Sequence, residues 1–168
     1  MAAAAILIVA AASAACGSSG GGAGGSSAPG TSAAAPSGSG SPANAATKAA
    51  ISKAYATFFG TTATLAQSVG ALQNGNRFVA AIKKESKNSY AAKSSAKVTS
   101  ATLVSPHVAA VKFSISSGGQ TLLKHSPGFA VEQNGTWKVA AKTFCGLLQL
   151  QGDAPNACSD PQVTALPH

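Results

Sequence analysis

Carboxylates are scarce in this chain: Asp and Glu together number 4 in 168 residues, against 12 Lys and Arg. So few acids, spread over the whole length, leave nothing from which to build a carboxylate-rich metal site. Charge of either sign is sparse, at 10% of residues, where an average soluble chain has about 25%. No apolar run reaches the roughly 20 residues that a spanning helix needs, so nothing reads as a transmembrane segment. The three histidines lack metal-ligand spacing. Length is short as well: 168 residues amount to about one domain, which excludes a multi-domain enzyme.

What is present begins with an unbroken apolar run, AAAAILIVAAA, from Ala2 to Ala12. That length fits the core of a secretory leader and is too short to cross a bilayer stably. Ser13, Ala14 and Ala15 follow, then Cys16 and Gly17. Small residues immediately before a lone cysteine resemble a bacterial lipobox. The resemblance implies that Cys16 receives a diacylglycerol, that cleavage makes it the mature N-terminus, and that acyl chains of the palmitate type anchor it to the membrane. Each buried acyl CH₂ contributes about 0.8 kcal/mol, so two or three chains hold firmly. A plain secretory leader would export the chain without anchoring it, and an ordinary buried cysteine after an apolar helix is the remaining reading.

Residues 17–42 hold 9 Gly, 8 Ser, 5 Ala, 3 Pro and 1 Thr, with no charge, aromatic or large aliphatic side chain. Nothing there offsets the entropy of ordering the backbone, so the stretch reads as a flexible tether. A Gly/Ser coil of that length has a root-mean-square reach of about 28 Å. Its glycine clusters are not phosphate loops, because no strand precedes them and no Lys-Ser/Thr follows. Every charged residue lies at or beyond Lys48, and all the aromatics lie from Tyr55 to Phe144. The expected organisation is a leader over 1–15, an acylated cysteine and tether over 16–46, a domain over 47–158 and a loose tail over 159–168. A domain of about 110 residues can bury a real core with a small margin.

Within the domain, Asn44 or Thr47 caps a first helix running to about Phe59, with Ile51, Tyr55, Phe58 and Phe59 on one stripe. Gly60 stops it. A second helix spans Leu65 to Gln73 and ends at Asn74-Gly75. Asn76 caps a third, with Phe78, Val79 and Ile82 inward and Lys83, Lys84 and Lys87 toward water. The second half reads as strands. KVTSATLV ends at Ser105-Pro106, HVAAVKFSIS ends at Gly118-Gly119, and a longer strand from Gln120 to Gln133 is bent by Pro127-Gly128. Asn134-Gly135 is the strongest hairpin signal. TWKVAAKTF then completes a sheet of about four strands. Helices first and an antiparallel meander afterwards predict an α+β domain.

With Cys16 acylated, Cys145 and Cys158 remain as a pair outside the reducing cytosol. A disulfide over a loop of this size contributes about 2–4 kcal/mol and would staple the C-terminal segment to the last strand. A zinc or redox site is the alternative, and Cys-x₁₂-Cys with no nearby His fits neither.

The motifs YATFFG, ALQNGNRFVAAIK, NGTWKVAAKTFC and LQLQGDAPNAC, in that order, resemble small exported lipoproteins of mycobacteria and related actinobacteria. The domain is similar to the C-terminal domain of the low-molecular-weight mycobacterial secreted antigen, over about residues 47–158. Its most specific parts are Leu72-Gln73-Asn74-Gly75 and the run from Gly135 to Cys145. The resemblance implies a nuclear transport factor 2-like, cystatin-related cone, in which a curved antiparallel sheet wraps helices around a central cavity. It implies an envelope location and says little of activity.

Cones of that kind also host isomerases and dehydratases, which use a pocket Asp, His or Tyr. Here Glu85, Glu132, Asp153, Asp160 and His107 fall on exposed faces, turns, strand starts or the tail. His125 and Tyr55 are the least poor candidates, and no pair of acid–base residues converges on the sequence pattern. Ser94-Ser95-Ala96-Lys97 matches an S-x-x-K spacing without its companion motifs. The sequon-like Asn134-Gly135-Thr136 is explained by the turn. The aromatic and aliphatic set Phe59, Phe78, Val111, Phe113, Phe129 and Trp137 lines a cavity or forms plain core. Arg77, Lys83, Lys84, Lys87, Lys93 and Lys97 make a basic region. It is a solvated helix face or a contact for anionic lipid or acidic wall polymer. Nucleic acid is not an expected partner, because no stacking motif accompanies the charges, and no cofactor is expected. The expectation is a non-catalytic, lipid-anchored envelope protein that binds a protein partner or an apolar ligand. A cavity isomerase or dehydratase and a lipid carrier are the alternatives.

Overall fold

The computed structural model describes residues 40–88 and 93–168. The expected leader, Cys16 and the expected tether up to residue 39 lie outside the described residues.

The elements run in the order β1 (Ser41–Pro42), α1 (Ala45–Phe59), α2 (Leu65–Ala71), a 3₁₀ turn (Gly75–Phe78), α3 (Val79–Glu85), β2 (Ser94–Ser105), β3 (Val108–Ser117), β4 (Gln120–Gln133), β5 (Thr136–Val139), α4 (Ala141–Leu150), a second 3₁₀ turn (Asn156–Ser159) and α5 (Pro161–Thr164). Each strand pairs antiparallel with its sequence neighbour, giving one open sheet ordered β1-β2-β3-β4-β5. The class is α+β as expected. Among the described residues the strands number five rather than about four, because Ser41–Pro42, expected as part of the tether, adds to the edge of β2.

Local chemistry fixes the helix starts. Asn44 Oδ1 accepts from the Thr47 amide at 2.8 Å and caps α1. Thr64 and Gln67 exchange side-chain and backbone bonds in a capping box at α2. The chain then turns at Asn74, which takes φ 50°. Gly75 follows because a Cβ there would collide with the Val69 carbonyl oxygen. Asn74, not Asn76, therefore precedes the short helical run. Phe78 and Ile82 point inward as expected, whereas Val79 is 39% exposed.

The helices cover one face of the sheet. Ile51 and Tyr55 of α1 and Ile82 of α3 meet Val98 and Ala101 of β2. They also meet Ala109, Val111, Phe113 and Ile115 of β3, Ala130 of β4 and Val139 of β5. Phe144, Cys145 and Leu148 of α4 close the same core. A smaller cluster lies on the opposite face, where Phe129 and Leu166 pack on Val108, Val131 and Ala140.

Two expected boundaries move. The sheet ends at Val139, and AKTF begins a helix instead of finishing a strand. Ala141, Phe144, Cys145 and Leu148 are buried at helical spacing, which fills the core better than continued alternation would. Residues 159–168, expected as a loose tail, are held. Asp160 caps α5 at the Gln162 amide, Val163 is buried, and Leu166 packs on the sheet.

Candidate functional site

The buried acid–base candidate is Tyr55. Its hydroxyl donates to the Phe129 carbonyl at 2.9 Å. The same carbonyl accepts from the Thr143 hydroxyl at 3.2 Å and the Ala140 amide at 3.0 Å, while the Phe129 amide donates to Thr143 Oγ1 at 2.7 Å. Burial pushes the phenol up from its ordinary value near 10, and the hydrogen bond with Thr143 works weakly the other way. The ring touches Phe113 at a centroid distance of 5.0 Å and Phe59 at 5.8 Å. The backbone must come close here: a Cβ on Gly128 would stand 2.8 Å from the Phe113 ring and 3.0 Å from the Tyr55 hydroxyl. Tyr55 thus ties α1 to β4, where β5 has ended and α4 takes over the strand's edge.

Five of the six residues considered for a cavity, Phe59, Phe78, Val111, Phe113 and Trp137, belong to the helix-side core. Their rings pack on one another: Phe59 stacks on Phe113 at 5.9 Å and Phe78 meets Phe144 edge-on at 5.7 Å. Phe129 is separate, on the outer face.

Side-chain amides join the two most specific sequence elements. The Gln73 amide donates to the Val139 carbonyl at 2.8 Å. Its side chain is 3% exposed as a residue, accepts from the Ala141 amide at 3.0 Å and donates to the Ala165 carbonyl at 2.8 Å. Asn74 Nδ2 donates to the Val163 carbonyl at 2.9 Å, and Gln133 Nε2 donates to Asn74 Oδ1 at 3.3 Å. A surface depression of about 420 Å³ opens above this seam, lined among others by Val69, Asn74, Gln133, Asn134 and Lys138. The Asn74 and Gln133 amides in its lining are engaged in holding the chain.

One titratable pair is brought together that sequence reasoning missed. His107 Nδ1 lies 3.0 Å from Glu132 Oε2, with side chains 56% and 27% exposed. It sits at the end of the β3–β4 ladder, where the Glu132 amide donates to the His107 carbonyl at 2.8 Å. His125 takes φ 52° at an irregularity in β4, is exposed, and bonds through its amide to Ser114 Oγ at 3.2 Å. It is on the surface, and Tyr55 is sealed in the core.

The six cations expected as one basic region divide. Arg77 lies 3.7 Å from Asp160, and Lys84 lies 2.6 Å from Asp153. Lys83 and Lys87 are exposed on and after α3. Lys93 precedes β2, and Lys97 is within it. Cys145 and Cys158 are bonded, with Cα atoms 5.4 Å apart. The bridge joins α4 to the second 3₁₀ turn rather than reaching the last strand.

Residues 44–155 match the family described as low molecular weight antigen MTB12, C-terminal domain. The matched span contains both the Leu72–Gly75 seam and the Gly135–Cys145 run, and stops short of Cys158. No curated protein and no solved structure matches the chain.

Proposed function

Because the chain belongs to the family of the low molecular weight antigen MTB12, whose C-terminal domain spans residues 44–155, we propose that it is a non-catalytic binding module of the cell envelope. It is held by acyl chains on Cys16 and works through its surface. Of the two partner classes expected from the sequence, this reading favours a protein or surface partner over an apolar ligand inside the fold. The observation that carries it is the use of the core: the aromatic rings pack on one another between helices and sheet, and the Tyr55 hydroxyl is bound to the Phe129 carbonyl. A group so committed neither takes nor gives a proton to a substrate. The fold is then a variant of the nuclear transport factor 2-like cone whose interior is closed by rings. The Cys145–Cys158 bridge supports an oxidising compartment.

Native mass spectrometry of the protein extracted from its own cells tests the proposal. The expected mass begins at an acylated Cys16, contains one disulfide and carries no stoichiometric small molecule. A product that starts at Met1 with free thiols in the cytoplasm overturns the envelope reading. A stoichiometric apolar ligand in the core converts the module into a carrier and overturns the surface reading.

A further inference from the structure

The face of the sheet turned away from the helices carries charge of one sign. In β3, Ala109, Val111, Phe113 and Ile115 pack with the helices, so Ala110, Lys112 and Ser114 point outward. Register brings to the same face Lys97 of β2, opposite Ser114, and Lys138 of β5, opposite Val131. Phe129 of β4 stands opposite Ala110, with Pro127 opposite Lys112. Lys142, in the first turn of α4, holds its ammonium 5.6 Å from the centre of the Phe129 ring. Hydroxyls of Ser100 and Thr102 stand among them, opposite Lys112 and Ala110.

No side-chain carboxylate shares that face. Asp153 and Asp160 follow α4 and pair with Lys84 and Arg77. Glu85 is on α3. Glu132 alternates with Ala130 on the helix side, in register with Trp137, and pairs with His107. These are all of the chain's 4 acids. Lys97, Lys112, Lys138 and Lys142 have no ion-pair partner among the described residues.

We propose that this outer face docks on an anionic phospholipid bilayer, with the four ammonium groups meeting lipid phosphates and Phe129 backing them. The choice of a bilayer rests on the envelope reading above. Two further features favour it. The 39 residues before Gly40 join the domain at β1, on the β2 edge of this same sheet. On that reading, the membrane end of the segment is the acylated Cys16. Acyl chains fixed in a membrane at Cys16 therefore deliver the sheet's edge to the lipid surface on a Gly/Ser-rich stretch whose coil reach is about 28 Å. The local lipid concentration becomes high enough for individually weak lysine–phosphate contacts to count.

Vesicle co-sedimentation of the full chain carrying Cys16→Ser tests the proposal. The vesicles are phosphatidylcholine alone, or phosphatidylcholine mixed with phosphatidylglycerol. The apolar leader contributes equally to both, so the readout is the preference for the anionic vesicles. That preference is expected to fall with added salt. It should drop roughly a hundredfold or more in K97Q/K112Q/K138Q/K142Q and stay unchanged in K83Q/K84Q/K87Q on the α3 side. Should the quadruple variant lose its fold by circular dichroism, K97Q/K112Q, two exposed strand positions, serves in its place with a proportionally smaller drop. A quadruple variant that keeps the preference overturns the proposal, as does an α3 variant that loses it. Displacement by dilute inorganic phosphate assigns the face to a free phosphate compound and overturns the bilayer. The assay does not depend on how the native chain is processed. Its failure leaves the mass-spectrometric result standing, and a failed acylation result leaves a measured vesicle preference standing.

Discussion

At the scale of single residues, the molecule depends on a few polar atoms placed inside an apolar core. The Tyr55 hydroxyl is one. Its phenol titrates higher in the folded chain than near 10, where it titrates unfolded. Its contribution is therefore complete below about pH 10 and is lost as pH rises beyond, since the unfolded chain then releases a proton that the folded chain keeps. Y55F should cost about 1 kcal/mol at neutral pH, because the Phe129 carbonyl retains two other donors. The gap to wild type should close in urea titrations at alkaline pH; a gap that widens refutes the assignment. Gly128→Ala places a methyl 2.8 Å from the Phe113 ring and 2.9 Å from the Thr143 methyl, and should lower stability by about 1–3 kcal/mol in the same measurement. Gln73→Ala strips the buried Ala141 amide of its acceptor, at a cost of about 1–3 kcal/mol. Amide exchange at Val163–Ala165 should accelerate, since the Ala165 carbonyl loses its donor. Of these residues, Tyr55 was legible as part of an apolar stripe. Its hydroxyl partner was not, because Phe129 lies 74 positions along the chain.

At the scale of elements, the helix starts and hairpin turns were legible, because caps and glycine turns are local chemistry. Asn44, Gly118-Gly119 and Asn134-Gly135 all stand where the sequence put them. What failed was extrapolation. TWKV alternates as a strand, and the alternation was carried on into AAKTF, although the i, i+3, i+4, i+7 set Ala141, Phe144, Cys145 and Leu148 was there to find. The Asp160-Pro161 start of α5 was equally visible and was passed over as tail. The His107–Glu132 pair was out of reach for a different reason. An unbroken ladder from the Gly118-Gly119 turn would set His107 opposite Ala130, but the ladder irregularities between Phe113 and Ser116 shift the register until Glu132 faces it. The disulfide belongs to this scale too. C145S/C158S frees the segment after α4, and the paired change should reduce stability by about 2–4 kcal/mol. Thermal unfolding of the oxidised chain and the double variant checks it, and equal midpoints would refute a stabilising role.

At the scale of the whole molecule, charge imbalance sets behaviour. Of the 12 cations, Arg77 and Lys84 have carboxylate partners, and both pairs are exposed enough to contribute little. The rest repel one another across a formal net charge of +8. Raising salt from about 0.01 to 0.1 M shortens the screening length from about 30 to 10 Å, so the unfolding midpoint should rise by a few degrees. A midpoint that falls would show that attraction, not repulsion, dominates the surface. The α+β class and the helix-then-meander order were legible from periodicity. The placing of five of the six cavity candidates in one ring-packed core, with Phe129 on the other face, was not, because it depends on strand curvature and register.

One small element sets how the domain can be handled. Ser41–Pro42 runs along β2 at Leu103 and Thr102, and the Ala43 amide bonds to the Ala101 carbonyl at 3.0 Å. All three residues precede the family match, which opens at 44. A fragment trimmed to that match would lose this cover and bare the Ala101–Leu103 stretch of the β2 flank. An edge strand left without its cap is open to like strands from neighbouring copies. Samples cut at 44 should therefore precipitate on storage where those begun at 40 stay clear.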